Sequence, residues 1–205
     1  MEWVEQLDEI QSSALKEMAN IGISHVATAI GEILKEKIDI SLPSLDAFSK
    51  EQLLHAEKQN GGIVVAYLTV AAISDLTEIL IILSRKDAIQ LMNKFVNTDE
   101  LEDIDTEGLT MEEQKSIFSE LSTVIAATYF AAIDSMFNVK TCCGVPKISF
   151  EHAEAINFLK DTVCHNEGIS INVSFTSDPS SVSGKLLLIP DPKTLGVLFE
   201  TIGIG

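Results

Sequence analysis

The sequence is short of basic residues, of cysteine and of long apolar runs, and each shortage closes a class of function. Its 14 Lys and Arg stand against 31 Asp and Glu in 205 residues, a formal net charge of −17. A chain this acidic gains nothing from counterion release on a phosphate backbone and has no general attraction for anionic lipid. No nucleic-acid partner is therefore expected. Three cysteines, Cys142, Cys143 and Cys164, are too few and too irregularly spaced for a disulfide framework. The N-terminus, Met1-Glu2-Trp3-Val4-Glu5, lacks the basic and apolar regions of a signal peptide. No stretch reaches the ~18 consecutive apolar residues of a membrane span, and Ile79 to Leu83 is only strand length. A cytoplasmic protein with no membrane insertion is the expectation. A phosphate-cradling loop is also missing, because Gly61-Gly62 has neither the Lys nor the helix start of a P-loop.

What remains is a globular composition, 46% apolar and 22% charged, able to bury roughly 70% of its unfolded surface without staples. Residues 7–36 predict one long helix. Leu7, Ile10, Ala14, Met18, Ile21, Val26, Ile30 and Ile33-Leu34 recur at three- and four-residue steps. Gly22 and Gly31 inside it each cost about 1 kcal/mol against Ala, so they mark close packing. Residues 37–48 alternate until Pro43 interrupts, which suits an edge strand. A polar segment leads to the turn signal Asn60-Gly61-Gly62. Two strands, Ile63 to Ala72 and Leu76 to Leu83, follow around Ser74-Asp75, and then a helix over Arg85 to Val96. The stretch from Asn97 to Glu113 is dense in Asp and Glu and reads as a solvated connector. A second long helix spans Thr110 to Phe137. Strand-like segments follow near 139–150, 169–176 and Gly184 to Pro190, and a short helix over Pro192 to Ile202 closes the chain.

The two halves spell the same order. Displacing the chain against itself so that Ser13 falls on Ser116 also brings Glu17 onto Glu120, Ala29-Ile30 onto Ala132-Ile133 and Lys37 onto Lys140. Met18 then falls on Leu121 and Ile21 on Val124. Chance similarity of two amphipathic helices is the competing explanation. The expected fold is α/β: duplicated helix–strand–strand–strand units form one sheet, with the two long motif helices side by side on one face. The chain is expected to be one domain, 1–205, made of two pseudo-symmetric repeats at about 7–97 and 110–205.

Ser13, Glu17 and Asn20 stand at i, i+4 and i+7, so they project from one helix face. Asn is a poor helix former, because its amide competes for backbone hydrogen bonds. From one copy an ordinary solvated face explains these residues. The second helix repeats the spacing as Ser116, Glu120 and Thr123, which weakens that explanation.

Ser13-x-x-x-Glu17-x-x-Asn20-Ile21-Gly22, continued as Ala27-Thr28-Ala29-Ile30, resembles the helix signature of the CheC/CheX/FliY family of chemotaxis phosphatases. The resemblance covers nearly the whole chain, and length and duplication point to the CheC branch, since FliY carries a further flagellar-switch domain. It implies an enzyme, a protein phosphatase that hydrolyses the aspartyl phosphate of the response regulator CheY. Phosphorylated CheY is then the partner. The catalytic pair is Glu17 and Asn20, supported by Ser13. Asn20 orients the attacking water, because a neutral amide bonds water without repelling phosphoryl oxygens. Glu17 pairs with the receiver's Lys and sets the docking register. No cofactor of its own is implied, and Mg²⁺ belongs to the receiver.

The second site, Glu120 and Thr123 with Ser116 in support, departs from the family pattern. Thr123 stands where the family has Asn, and its shorter, stiffer side chain implies a weak or docking-only site. Ala19 and Ser24 replace small Gly positions of the family. His25 beside the motif is expected to be merely packed or solvated. A regulatory module that binds the receptor deamidase CheD or phosphorylated CheY without turnover is the alternative. The family's CheD-docking region corresponds to Lys147 to Asp161, which has roughly helical spacing and reads equally as an ordinary surface helix. Cys142-Cys143, His152, Cys164 and His165 do not match zinc-ligand spacing, and no metal site is expected.

Overall fold

The computed structural model describes residues 7–59, 63–71, 76–97, 104–137, 140–150, 152–164 and 166–204. The Asn60-Gly61-Gly62 and Ser74-Asp75 turn signals and His165 lie outside the described residues.

The first half runs α1 (Glu9–Leu34), β1 (Lys37–Ile40), β2 (Ser44–Ser49), α2 (Lys50–Gln59), β3 (Ile63–Ala71), β4 (Leu76–Ser84) and α3 (Arg85–Val96). The second runs α4 (Met111–Phe137), β5 (Cys142–Cys143), β6 (Lys147–Ser149), α5 (His152–Thr162), β7 (Glu167–Asp178), β8 (Ser183–Ile189) and α6 (Pro192–Thr201). The interruption expected in each half is therefore a helix. The polar segment before residue 60 is α2, and Lys147 to Asp161 is not one helix but β6 followed by α5.

Local chemistry sets the helix ends. Asp8 caps α1 by accepting from Gln11 N (2.7 Å), while the Gln11 side chain accepts from Asp8 N (3.1 Å), a reciprocal capping box. At the other end Lys35 takes a left-handed conformation (φ 54°), and both Lys35 N and Glu36 N bond the Gly31 carbonyl. Thr110 and Glu113 form the corresponding box at the start of α4. Asp191 caps α6, with Pro192 in its first turn.

Eight strands form one antiparallel sheet in the order β1-β7-β8-β4-β3-β5, with β2 also on β7 and β6 also on β3. The short strands of each half therefore pair with the long strand of the other. At the centre, β4 meets β8 through Leu80 opposite Leu187 and Ile81 opposite Leu186.

Alternation along the central strands divides the core into two layers. Val64, Ala66, Leu68 and Val70 of β3 face the layer that holds α1 and α4. Ile63, Val65 and Tyr67 face the layer beneath α2 and α5, where Phe48, Ala155 and Leu159 also lie. The α1 residues buried are Leu15, Met18, Ala19, Gly22, Ile23, Val26, Ile30 and Leu34. Ile10, placed in the apolar stripe by its spacing, is instead 64% exposed, and Met136 at the end of α4 is 48% exposed. Spacing alone misplaced the centre of the α1 stripe, because Leu15 and Ile23 bury more deeply than Ala14 and Ile21.

Gly22 explains how α1 and α4 approach. A Cβ there would sit 2.4 Å from Cε2 of Tyr129, whose ring lies flat against the missing side chain. Tyr129 is buried and meets Phe130 edge-on at 5.1 Å. Gly31 is tight as well, since a Cβ would come 3.1 Å from the Glu36 carbonyl. By length and composition, α4 is the one helix among the described residues apolar enough to cross a membrane. Its apolar side chains, Phe118, Leu121, Ile125, Tyr129 and Ile133 among them, are spent on the shared core.

The described part of the connector, from residue 104 on, is less solvated than its composition suggests. Thr106 opens a turn of 3-10 helix (Thr106–Gly108) and is fully buried. Its backbone N and its hydroxyl both donate to Asn93 Oδ1 (2.7 and 2.6 Å), and its carbonyl accepts from Gln114 Nε2 (2.8 Å). Hydrogen bonds to α3 and α4 hold this part of the acidic segment down.

Candidate functional site

The α1 motif lies on the helix face turned away from α4. At about 100° per residue, Gly22 is roughly opposite both Ser13 and Asn20 around the helix. Because Gly22 is pressed under Tyr129 of α4, the motif must look outward. Ser13 and Glu17 are exposed, and Asn20 is half-buried. The structure brings all three onto one stripe, and the same holds on α4, where Ser116, Glu120 and Thr123 are all exposed. The helices are neighbours, in contact through Gly22 and Tyr129.

The polar atoms of the two stripes differ in how they are engaged. Ser24 Oγ donates to the Asn20 backbone carbonyl (2.7 Å), and Thr28 Oγ1 donates to the Ser24 carbonyl (3.0 Å). The Asn20 side-chain amide has no hydrogen-bond partner among the described residues. It keeps both donors and its acceptor for a visiting group. Thr123 Oγ1, in contrast, donates its only proton to the Ser119 carbonyl (2.8 Å). This i−4 bond is a common resting place for a helical hydroxyl, and it leaves Thr123 only acceptor capacity. Glu17 and Glu120 have no ion-pair partner among the described residues and are open to an incoming cation. His25 is exposed, in keeping with a solvated residue.

Among the described residues, Ser13, Glu17, Asn20, Ser116, Glu120 and Thr123 line none of the main cavities. An apolar cavity of about 90 Å³ lies between α1, α4 and α6, lined by Leu15, Met18, Tyr129, Ile133, Leu195 and Leu198 among others. It holds none of the motif residues. What the motif offers is a convex helix face with a free amide and a free carboxylate one turn apart. Such a face suits a macromolecular substrate that brings its own reactive group.

The thiols serve other places in the fold. Cys142 and Cys143 lie on β5 beside β3, and burial pushes the Cys143 thiol up from its ordinary range, with Cys142 and Asp134 adding to the effect. Cys164 follows α5 on the opposite face of the sheet. Its backbone N donates to Glu78 Oε1 (2.7 Å), which also accepts from the Tyr67 hydroxyl (2.6 Å). Burial first, then that bond to Glu78, raises the Tyr67 hydroxyl far above its usual value. Neither Glu78 nor Tyr67 carried a motif signal in the sequence. Among the described residues no cluster of three His, Cys, Asp or Glu side chains is arranged to hold a metal.

Comparisons with known proteins agree with this architecture. The model of the CheC-like family matches residues 10–45, which hold the α1 motif and β1. The CheY-P phosphatase CheC of Bacillus subtilis (strain 168) is 24% identical over 206 residues, covering 96% of each chain. Among solved structures, FliY of Thermotoga maritima superposes with a TM-score of 0.66 at 14% identity, over 97% of this chain and 98% of that one. A CheC-like superfamily protein from Shewanella sp. PV-4 superposes at 0.58 and 11% identity, over 84% and 96%. FliM from H. pylori, solved in complex with SpeE, gives 0.64 at 9% identity and 97% of both chains. At these identities the solved structures bear on the fold alone. The chain is thus similar to the CheC-like family model over its first long helix and β1, similar to the B. subtilis CheC along nearly its whole length, and shares its fold with the FliY, CheC-like and FliM structures.

Proposed function

We propose that this chain is a phosphatase acting on the aspartyl phosphate of the chemotaxis response regulator CheY, with its working site on α1. The carrying observation is the unengaged Asn20 amide one turn from the unengaged Glu17 carboxylate on an outward helix face. The B. subtilis relative, named a CheY-P phosphatase, supports the same reading.

The reaction joins a water oxygen to phosphorus and breaks the bond from phosphorus to the aspartyl oxygen. The aspartate leaves as carboxylate and the water as inorganic phosphate after losing a proton. The receiver holds the Mg²⁺ and the Lys that stabilise charge on the phosphoryl group. This chain contributes position: Asn20 hydrogen-bonds the attacking water in line, and Glu17 meets the receiver's Lys. The acidic surface is no obstacle, because the phosphoryl anion arrives already neutralised by its own protein and metal. A cytoplasmic location follows from that substrate. The chain is read as one domain of two pseudo-symmetric repeats, of which the second has lost its amide.

Single-turnover phosphate release from acetyl-phosphate-labelled CheY tests the proposal. Acceleration by this chain that Asn20→Ala abolishes is the expected result. Acceleration that survives Asn20→Ala would sink the site assignment. A second reading, a module that binds CheD or phosphorylated CheY without turnover, draws on Thr123, whose proton is already committed to Ser119. Tight binding with no acceleration at any concentration would select it.

A further inference from the structure

The motif stripe of α1 does not stop at Asn20. It continues as Ser24, Ala27, Thr28 and Gly31, which line a shallow groove against Ile38 and Ile40 of β1. β1 runs back along α1, since a Cβ on Gly31 would lie 3.5 Å from Cγ1 of Ile38. β1 ends at Ile40, and one extra residue separates the pair Ile40–Phe175 from the pair Ser44–Asn172, so residues 41–43 bulge between β1 and β2. Ile40 shares the groove with Ser24. Leu42, two residues further on, lies beyond the end of that groove in the direction of Asn20.

Leu42 is 86% exposed, yet it is not on a loose loop. Ser41 N donates to the Ser174 carbonyl (2.8 Å), Ser41 Oγ accepts from Ser174 N (2.9 Å), and Pro43 is buried behind it. A single exposed leucine is ordinary. This one has a counterpart. The displacement that brings Ser13 onto Ser116 also brings Leu42-Pro43 onto Val145-Pro146, and Val145 is 85% exposed. The surroundings correspond as well. Asp134 of α4 accepts from Thr141 N and Oγ1 (3.0 Å each), in the positions of Gly31 and Ile38. Gly144 N donates to the Thr69 carbonyl (2.8 Å), pinning the second tip as Ser41 pins the first. Among the described residues, the two most exposed large apolar side chains thus occupy matching places in the two halves, each on a tip tied to the sheet by backbone hydrogen bonds.

We propose that Leu42 is an apolar anchor on which the phosphorylated receiver docks beside Asn20, with Val145 its counterpart beside Thr123. The inference rests on the phosphatase reading and deepens it. The partner surface it requires is an apolar patch adjoining the phosphorylated aspartate. Its continuity with the motif stripe is what assigns the receiver, and no other protein, to this tip. Leu42 is a positioning residue: it sets how tightly the receiver is held and touches no reacting atom.

The test measures phosphate release against the concentration of acetyl-phosphate-labelled CheY for the full chain, Leu42→Ser, Leu42→Met and Asn20→Ala. Leu42→Ser should raise the half-saturating concentration about tenfold while the maximal rate stays within about twofold, as loss of a buried anchor does. Leu42→Met should restore it, and thermal melting should be unchanged in both, because Leu42 takes no part in the core. An unchanged half-saturating concentration in Leu42→Ser, with Asn20→Ala still inactive, overturns the anchor and leaves the phosphatase standing. A rise that Leu42→Met fails to restore also overturns it. A full chain that neither binds nor dephosphorylates the receiver removes both readings together.

Discussion

Asn20 and Thr123 occupy the same place on their helices, and the difference between them is a matter of free valences. The Asn20 amide is unengaged, while the Thr123 proton goes to the Ser119 carbonyl. Asn20→Ala is therefore expected to lower the maximal rate of receiver dephosphorylation by about 10²–10³, the usual cost of one well-aimed polar group. Binding of the receiver should persist, as a pull-down with beryllofluoride-activated CheY would register. The converse substitution, Thr123→Asn, supplies the missing amide. It should raise the maximal rate by up to about twofold by giving the second face an equivalent positioning group; no increase would mean that α4 lacks more than its amide. The spacing of Ser13, Glu17 and Asn20 was legible because a stripe is a property of periodicity alone. What spacing could not reveal is that Thr123 is already bonded, or that Leu42 flanks the stripe. Its only trace was the recurrence of an apolar residue before Pro43 and Pro146.

Between elements, the tightest junction is α1 against α4 at Gly22. Gly22→Ala gains ~1 kcal/mol of helix propensity. The added Cβ meets a buried aromatic ring that cannot swing aside, and overpacking of that kind costs about 1–3 kcal/mol. A net loss of stability in urea denaturation is expected, larger still for Gly22→Val. A second junction ties the α1–β1 turn to the β7–β8 loop. Glu36 Oε2 accepts from Ser180 Oγ (2.5 Å) and Ser180 N (3.3 Å). These bonds, the Ser180 hydroxyl first, hold the Glu36 carboxyl below its ordinary value of 4.5. A depressed carboxyl contributes stability above its unfolded pKa and loses it as pH falls through the folded one. Ser180→Ala should therefore cost stability at neutral pH, and the difference from the parent chain should shrink below about pH 4. A difference that held constant down to pH 2 would contradict the linkage. Both long helices, α3 and α6 could be read from the sequence because each has an apolar stripe or a clear cap. The helix α2 could not, since Leu53 and Leu54 are its only large apolar residues among many charges. Thr106 escaped for a different reason: what anchors it is a set of hydrogen bonds to Asn93 and Gln114, which leave no periodic mark.

For the whole molecule the decisive feature is the exchange of short strands between halves. β1 and β2 lie on β7, β5 and β6 lie on β3, and the main core draws on both halves. Neither half can complete its own sheet. Residues 1–105 and 106–205 expressed apart should each fail to give a folded monomer, whereas mixing them should restore the circular dichroism of the intact chain. A cooperative melt from either fragment as a monomer would refute this. Such cross-pairing was beyond the sequence reading, because strand periodicity names a face and not a partner.

The same exchange bears on how the chain acquires its shape. Lys37 of β1 finds Asp178 of β7 only after most of the chain lies between them. Closing a loop of that length must precede any reward from the contact, and proteins dominated by such distant pairings fold slowly. During synthesis β1 and β2 must wait, unpaired, until β7 has emerged, so the edge that frames the α1 face is among the last parts to form. Competence for docking would then arrive only with the finished molecule, and an incomplete chain would present the helix without its flank.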